Sequence, residues 1–398
     1  MNQKELDDVV SLVSDWTGRN VSLDDLAGRV LAYRTVVNTA DQARILAVLL
    51  KEVPLDARSW EIRHGLNTRT RAFLVPSNPE TGSLPRICIP LLVRGVRVGY
   101  LWVQANAPDD DMVALLADLD RWRTALEHLA ERVLVALGTS AEFVSELDRA
   151  FRHLIVSGVE DVPDALEARF RHMPETRIVV FSCDGLGTRP GLLPSLAYMQ
   201  AIHDAARTVG LSPVSFTDEQ HGVCLVPNDS QIEELVEQLA EALRLRIMEE
   251  ETLGFWHGIS RPIQSLGEAR TAYRQALVAL QATAVDPALP LHSYESTGIY
   301  QVLAHVASPR LPVRLELLRA SAGGAEKLRF LEQVYDSPGP MQRIAERLHM
   351  HRTSVYNHLQ RIESIVGADP LDPLVRLELH AGLKLLRWLD RPRFDAPA

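Results

Sequence analysis

The chain has 398 residues, of which 46% are hydrophobic and 24% charged, and its formal net charge is −10. This length exceeds one domain of roughly 100 to 200 residues, and the composition excludes a wholly disordered chain. Because phosphates repel acidic surfaces, the net charge also excludes a protein whose whole surface binds nucleic acid.

The first predicted domain spans residues 1–108. An apolar stripe predicts a helix over residues 6–16, and residues 20–33 have the pattern of strand, turn and strand. Two further apolar runs, 87–93 and 96–103, are separated by a two-residue turn signal and predict a β-hairpin. These elements together predict an α+β domain.

Residues 109–138 predict a linker helix whose apolar residues recur at steps of three and four. The heptad positions that form this predicted dimer seam are Leu119, Trp122, Leu126, Leu129 and Val133. The pattern has two interpretations, since the seam can join two copies of the chain or pack against its own domain.

Residues 139–290 alternate strand-like and helical patterns and predict a second α+β domain, and residues 291–398 are predicted to be nearly all helical. Three single cysteines without a CxxC pair exclude a zinc ribbon and a disulfide framework. No apolar run approaches the roughly 18 residues of a membrane span, and the N-terminus lacks a signal-peptide pattern. We therefore expect a cytoplasmic protein without a membrane partner.

Residues 341–363 predict two short helices joined by a turn at 349–351, with Thr353 or Ser354 capping the second helix. Four arginines against two glutamates give this segment a charge of +2. The pattern fits both an ordinary helical hairpin and a DNA-reading helix-turn-helix. The candidate DNA-binding residues on its polar side are Arg352, Thr353, Ser354, Tyr356, Asn357, His358 and Arg361.

The C-terminal sequence resembles the helix-turn-helix of the PucR/CdaR family of bacterial transcriptional regulators. The matching residues are Leu348, Met350, His351 and Arg352 at the turn, then Arg361-Ile362-Glu363, Gly367, Asp372-Pro373 and Arg376-Leu377-Glu378-Leu379-His380. Upstream, residues 258–269 and 273–276 resemble the end of the family's degenerate GGDEF-like domain, and the N-terminal domain resembles a GAF- or PAS-type sensor. The chain departs from the family at Thr353-Ser354, where the family usually has Asn-Thr.

The resemblance implies a multidomain α+β fold, in which two α+β domains, GAF/PAS-like and then degenerate GGDEF-like, precede an all-α helix-turn-helix domain. It implies a sequence-specific DNA-binding transcriptional regulator with double-stranded DNA, a small-molecule effector and a second copy of the chain as partners. A nucleotide-binding signalling enzyme and a non-DNA signalling scaffold remain the alternatives.

The enzyme alternative covers a cyclase-like and an NAD-dependent activity. Residues 217–222, the hairpin that would hold a nucleotide, lack a Gly-Gly pair, and Asp184 ends the preceding strand alone. The loop after Asp184 places its last glycine one residue too late for a dinucleotide site and contains Pro190. The histidines at positions 349, 351 and 358 lack the Cys or carboxylate that would complete a metal site. We therefore predict no catalytic residues, no metal and no cofactor.

Overall fold

The computed structural model describes residues 2–37, 41–138, 145–157, 162, 164–173, 175–186, 189, 191–227, 231–247, 254–289 and 292–394. The described residues form two compact units, one within 2–176 and 181–255 and the other within 177–180 and 256–394. Within the described ranges, no helix is both long enough and apolar enough to cross a membrane. The mixture of two sheets with a helical C-terminal region confirms the predicted fold class.

The first sheet lies in the first unit, with strand order β2-β1-β5-β4-β3. Its strands and the helices around it are α1 (Gln3–Thr17), β1 (Val21–Asp24), β2 (Val30–Arg34), α2 (Gln42–Leu50), α3 (Leu55–Arg63), β3 (Phe73–Val75), β4 (Arg86–Val93) and β5 (Val96–Gln104). Arg94 and Gly95 join β4 to β5 with φ values of 49° and 79°, the positive pair that a type I′ turn requires. The predicted hairpin is therefore confirmed, and with it the helix and the strand pair that precede it.

The linker segment is not one helix. It consists of α4 (Met112–Asp118), a 3-10 turn over Leu119–Trp122 and α5 (Arg123–Gly138). Leu119, Leu129 and Val133 are each at most 2% exposed. Helix α5 packs against α1 and β4 of the same unit, and the Trp122 ring lies 5.2 Å from the ring of Trp16.

The seam residues therefore do not form an exposed stripe. The structure favours the second of the two interpretations above, a helix packed on its own domain, because the apolar repeat finds its partners within the chain. Leu126 is half-buried and lines a cleft of the first unit. A role for these five residues between two copies stays a prediction.

The second sheet has the order β7-β8-β6-β9. The elements of this region are α6 (Glu146–Ser157), α7 (Asp164–Arg171), β6 (Arg177–Cys183), α8 (Leu193–Val209), β7 (Val214–Thr217), β8 (Gly222–Val226), α9 (Gln231–Arg246) and β9 (Phe255–Ile259). Strands and helices therefore alternate in this region, as the sequence pattern predicts.

Arg97 of the first unit is fully buried and connects the first sheet to the end of α9 and to the loop after α3. Arg97 on β5 donates from Nη1 to the carbonyl of Leu245 at 3.1 Å, near the end of α9, and to that of Asn67 at 3.2 Å. Its Nη2 donates to the carbonyl of Arg69 at 2.9 Å. Helix α9 thus packs against β5 within the first unit, and the domain boundary at residue 138 stays a prediction.

The second unit is mainly helical. Its helices are α10 (Ala269–Val285), α11 (Tyr300–Leu303), α12 (Val313–Ala320), α13 (Gly324–Asp336), α14 (Met341–Arg347), α15 (Arg352–Val366) and α16 (Pro373–Leu389). One apolar core is shared by α12 to α16 and includes the buried residues Leu331, Val355 and Leu379. This core holds the predicted helix-turn-helix, α14 and α15, against its supporting helices.

Lys384 of α16 lies at the centre of a buried ion-pair network. Its Nζ is 2.8 Å from Asp286 Oδ2 after α10, 2.8 Å from Asp336 Oδ2 at the end of α13, and 3.5 Å from Glu332 Oε1. Burial disfavours the ammonium ion, yet the hydrogen bonds to Asp286 and Asp336 raise the pKa of Lys384 above its ordinary value. Arg387 forms a second pair with Glu332. The network ties the end of α10 to the helices that carry the helix-turn-helix.

Candidate nucleic-acid interface

The turn between α14 and α15 is tight because His349 adopts a left-handed conformation with φ of 53°. The chain then extends through His351, whose Nδ1 accepts a hydrogen bond of 3.3 Å from the backbone N–H of Thr353. His351 is therefore the N-cap of α15, and the prediction that Thr353 or Ser354 would cap the helix is wrong. Helix α15 begins at Arg352, so both residues belong to its first turn.

Apolar side chains fix the angle between α14 and α15. Ile344 and Ala345 of α14 are 5% and 3% exposed, and Val355, Leu359 and Ile362 of α15 are at most 3% exposed. This pattern matches the predicted buried side of the motif. The opposite side of α15 is left free for contact with a large partner.

The predicted DNA-binding residues lie mainly on this free side. The exposed members are Arg352, Thr353, Tyr356, Asn357 and Arg361. The guanidinium of Arg352 lies 5.5 Å from the centre of the Tyr356 ring, which is one turn further along the helix. The first turn of α15 also presents backbone N–H groups, which with the helix dipole favour a phosphate at this end.

Two predicted residues are less accessible. Ser354 and His358 are half-buried, and the His358 ring lies 4.9 Å from the ring of Phe330 on α13. His358 therefore packs α15 against α13, and its predicted contact with DNA stays a prediction. Helical periodicity could not reveal this contact because Phe330 lies 28 residues earlier in the chain.

The sequence patterns did not identify the residues outside α14 and α15 that hold the helix-turn-helix in place. Tyr335 donates from its hydroxyl to the carbonyl of Pro370 at 2.8 Å, which ties α13 to the segment after α15. His380 of α16 contacts Asp336 Oδ1 through Nε2 at 2.8 Å. His380 lies in the segment that carries the family resemblance, and this match was the only signal that could have identified it.

The groups that a nucleotide-binding enzyme would need are engaged in local structure. Asp218 Oδ1 accepts the backbone N–H groups of Gln220 and His221 at 2.8 and 2.9 Å and lies 3.1 Å from His221 Nδ1. Although burial opposes ionisation, the hydrogen bond from His221 helps hold the pKa of the Asp218 carboxyl below its ordinary value. A Cβ at Gly222 would come within 2.3 Å of the Phe181 ring, so this glycine serves packing.

The remaining candidate residues for an enzyme site also make contacts within their own segments. Asp184 accepts the N–H of Gly185 at 2.9 Å, and residues 187, 188 and 190 of the dinucleotide-like loop lie outside the described residues. Among the residues that the structure describes, no three His, Cys, Asp or Glu side chains come together as a metal site. The absence of catalysis, metal and cofactor stays a prediction.

Comparison with known proteins identifies two domains in the chain. Residues 163–282 match the GGDEF-like domain, and residues 328–385 match the PucR C-terminal helix-turn-helix domain. The chain is also similar to the crystal structure of a regulator of polyketide synthase expression from Bifidobacterium adolescentis. The identity is 18%, the match covers 62% of this chain and 99% of that chain, and the TM-score is 0.27. No curated protein matches the chain.

The helix-turn-helix match includes α14 and α15, where the exposed polar face lies, and the GGDEF-like match includes β6 to β9. The two domains occur in the order that the sequence resemblance implied. The chain therefore carries a GGDEF-like domain and a PucR C-terminal helix-turn-helix domain, in the order that the PucR/CdaR family of transcriptional regulators has them.

Proposed function

We propose that this chain is a sequence-specific, cytoplasmic transcriptional regulator that reads double-stranded DNA with α15 and responds to a small metabolite through its N-terminal domain. The DNA-binding part of this proposal rests on the exposed polar face of α15, which lies inside the matched helix-turn-helix domain. A helix placed in this way can enter the major groove with its N-terminal residues toward the bases.

Each predicted DNA-binding residue of α15 has a proposed role. Arg352 and Arg361 contact phosphates, and Thr353 and Ser354, with their backbone N–H groups, position the start of the helix on the DNA backbone. Tyr356 and Asn357 face base edges, since an amide side chain can pair with adenine in the major groove. The packing of His358 on Phe330 supports a bracing role for that residue.

The regulator acts as a homodimer in this proposal. One helix-turn-helix contacts few base pairs, and a two-fold dimer reads two half-sites about one helical turn apart. Leu119, Leu129 and Val133 are buried in their own unit, so Trp122 and Leu126, which are half-buried, are the members of the predicted seam that we propose for the dimer contact. Sedimentation at micromolar concentration should give a dimer or larger species, and a monomer would contradict this part.

The response to a metabolite is supported by the N-terminal sheet domain. It contains a cleft of about 800 Å³ beside β4, α4 and α5 and a smaller cavity of about 190 Å³ beside α2. Pockets for small molecules commonly have volumes of roughly 300 to 1,000 Å³. A metabolite controls DNA binding only if its affinity differs between two conformations of the chain.

Gel-shift measurements over a salt series test the DNA-binding part, with the upstream region of the chain's own operon as the specific probe. Arg352→Ala should weaken binding to all sequences alike and lower the salt slope by about one unit. Asn357→Ala should instead reduce the preference between sequences, by about 1–3 kcal/mol for a good contact. Arg319→Ala, which removes an exposed arginine of α12, is the matched control and should change neither quantity.

The outcomes separate the DNA-binding function from the residue roles. A folded wild-type protein that binds no DNA at low salt contradicts the regulator proposal. Identical effects of Arg352→Ala and Asn357→Ala contradict the assignment of roles while leaving DNA binding intact.

A further inference from the structure

Helices α12 and α16 of the second unit carry large apolar side chains that are exposed to solvent. We call these side chains the α12–α16 face; they are Val313, Leu317, Leu374 and Leu377. Each of them is between 51% and 78% exposed. A single exposed leucine is ordinary in a folded protein, but a contiguous apolar patch commonly marks an interaction site. Whether the four side chains form such a patch depends on how the two helices pack.

The four side chains lie on one surface because α12 and α16 share a core. Each helix turns its opposite side toward that core, and the buried residues of this side are Leu315, Leu318, Val375 and Leu379. Residues three or four positions apart lie on the same side of a helix, so both pairs of the face point away from the core. An ion pair between Arg314 Nη1 and Glu378 Oε2 joins the two helices beside these pairs. The face is therefore one apolar patch with an ion pair at its centre.

The chemistry of the α12–α16 face fits a second copy of the same face. Arg314 and Glu378 give its centre one positive and one negative charge, so an acidic or a basic partner would meet one like charge. In a two-fold contact, α12 of one copy can lie opposite α16 of the other. Each Arg314 then meets Glu378 of the partner subunit, and apolar side chains meet apolar side chains. This is the self-complementary contact that two-fold symmetry requires.

The α12–α16 face is also firmly connected to the DNA-reading helix. Val355 and Leu359 of α15 belong to the same apolar core as the buried sides of α12 and α16, and α12 packs directly against α15. Protein cores are close-packed and deform little. A contact between two such faces would therefore fix the distance and the orientation between two α15 helices.

The size of the face indicates when this contact forms. Four partly exposed aliphatic side chains cover less than the roughly 600 Å² that each partner of a stable complex buries. The contact should therefore be weak between free copies of the chain. Two neighbouring half-sites on DNA would raise the effective concentration of one domain beside the other, and the contact would form there.

Building on the proposed regulator function, we propose that the α12–α16 face binds the same face of a second copy on DNA and thereby sets the spacing between the two half-sites. A contact elsewhere in the chain, such as the one proposed at Trp122 and Leu126, brings two copies together but does not fix the positions of their α15 helices. Direct contact between the helix-turn-helix domains does. Half-sites read from one side of the duplex lie about 10 base pairs, or a multiple of this, apart.

Gel-shift measurements with the full chain test this proposal. The probes are duplexes with one or two copies of the sequence that the chain protects upstream of its own operon, at centre-to-centre spacings of about 8 to 22 base pairs. The wild type should prefer one spacing by about tenfold or more. Leu374→Gln combined with Leu377→Gln should reduce this preference to about twofold or less. The affinity for a single half-site should stay unchanged, because glutamine adds no charge that would repel DNA.

The matched control is Leu49→Gln combined with Leu50→Gln. These two leucines of α2 are 75% and 61% exposed, so the same chemical change is made at an equally accessible pair. The control should keep the spacing preference of the wild type. Equal losses in the two double variants would mean that the α12–α16 face has no special role, and they would overturn the proposal.

A charge exchange separates contact between copies from the ion pair within one copy. Arg314→Glu and Glu378→Arg each place two like charges on the face, so each variant alone should lose the spacing preference. Mixed dimers of the two variants, obtained by coexpression, should recover it, because every glutamate then meets an arginine of the other copy. No recovery in the mixed dimers would mean that the ion pair acts only within one copy, and the proposal would be wrong.

The remaining outcomes separate this inference from the function on which it rests. A wild type that binds two half-sites equally well at every spacing would overturn the inference, and so would a spacing preference that survives in the Leu374 and Leu377 double variant. In both cases the chain still binds single half-sites, so the regulator function stands. A folded wild type that binds none of the duplexes would instead refute the regulator function itself.

Discussion

The ion-pair network of Lys384 should contribute strongly to the stability of the helix-turn-helix region. In Lys384→Met the side chain keeps its length and loses its charge, which leaves Asp286, Glu332 and Asp336 without their shared cation. Lys384 is 8% exposed and the Asp286 side chain is 2% exposed, so solvent can replace little of the lost interaction.

The expected loss lies at the lower end of the range for a broken buried ion pair. Such a loss is about 3–5 kcal/mol, and Arg387 still pairs with Glu332, while Tyr300 still donates to Asp286 Oδ2 at 2.8 Å. We therefore expect the free energy of unfolding to fall by about 3 kcal/mol, or Tm to fall by about 6–12 °C for a unit of this size. The remaining partners prevent a larger loss.

Urea-dependent hydrogen exchange of the α16 amides measures this change locally, so unfolding elsewhere in the chain does not obscure it. Lys327→Met makes the same chemical change at a half-exposed position of α13 and should alter stability by about 0.5 kcal/mol or less. Adding Asp286→Asn to Lys384→Met should recover part of the loss, since one unpaired charge is removed. A loss below about 1 kcal/mol in Lys384→Met would refute the reasoning, because breaking a buried ion pair should destabilise the fold by more than that.

Three further substitutions should have measurable effects on stability. Gly258→Ala should lower the free energy of unfolding by about 3 kcal/mol or more, because the added Cβ would lie 2.1 Å from a backbone oxygen of α10. The control Gly267→Ala makes only an ordinary contact at 3.6 Å and should change stability little. Equal effects of the two substitutions in thermal denaturation would contradict the packing argument. Burial raises the pKa of Glu61 from 4.5 to about 7, so its contribution to stability is present below pH 4.5 and is lost as the pH rises through 7, by about 3 kcal/mol. Urea titrations at several pH values should show this fall in the wild type and not in Glu61→Gln, and parallel curves would exclude it. The hydrogen bond from Arg19 lowers the pKa of Asp110 to about 2, so this ion pair stabilises the fold above about pH 4 and stops doing so as the pH falls toward 2. Asp110→Asn should therefore be less stable than the wild type by about 1–2 kcal/mol at pH 7 and should show no loss of stability between pH 4 and 2. An acid transition that is the same in both proteins would count against the ion pair.

Local patterns predicted many elements because their signals lie within a few residues. The turn at Arg94 and Gly95 gave the β4–β5 hairpin its register, and the apolar spacing in residues 341–363 predicted the buried side of the helix-turn-helix. The resemblance at the C-terminus identified the domain that carries the DNA-binding function.

Features that depend on distant partners were not predictable from these patterns. The heptad at residues 119–133 indicated an apolar seam but not its partner, which lies within the same unit. Buried ion pairs join Asp24 to Arg44 and Glu61 to Arg86, residues that lie 20 and 25 positions apart. In the sequence, these charges are indistinguishable from those of a solvated surface.

The buried guanidinium of Arg97 limits where the chain can be cut into fragments or joined into chimeras. A fragment that ends after α5 would keep the carbonyl partners at Asn67 and Arg69 and lose the one at Leu245. It would also lose the β-bridge between Val96 and Ile247. A chimera that exchanges the N-terminal domain between regulators must therefore carry the end of α9 with it. The smallest N-terminal piece that keeps all of these contacts therefore extends well past the linker segment into the middle of the chain.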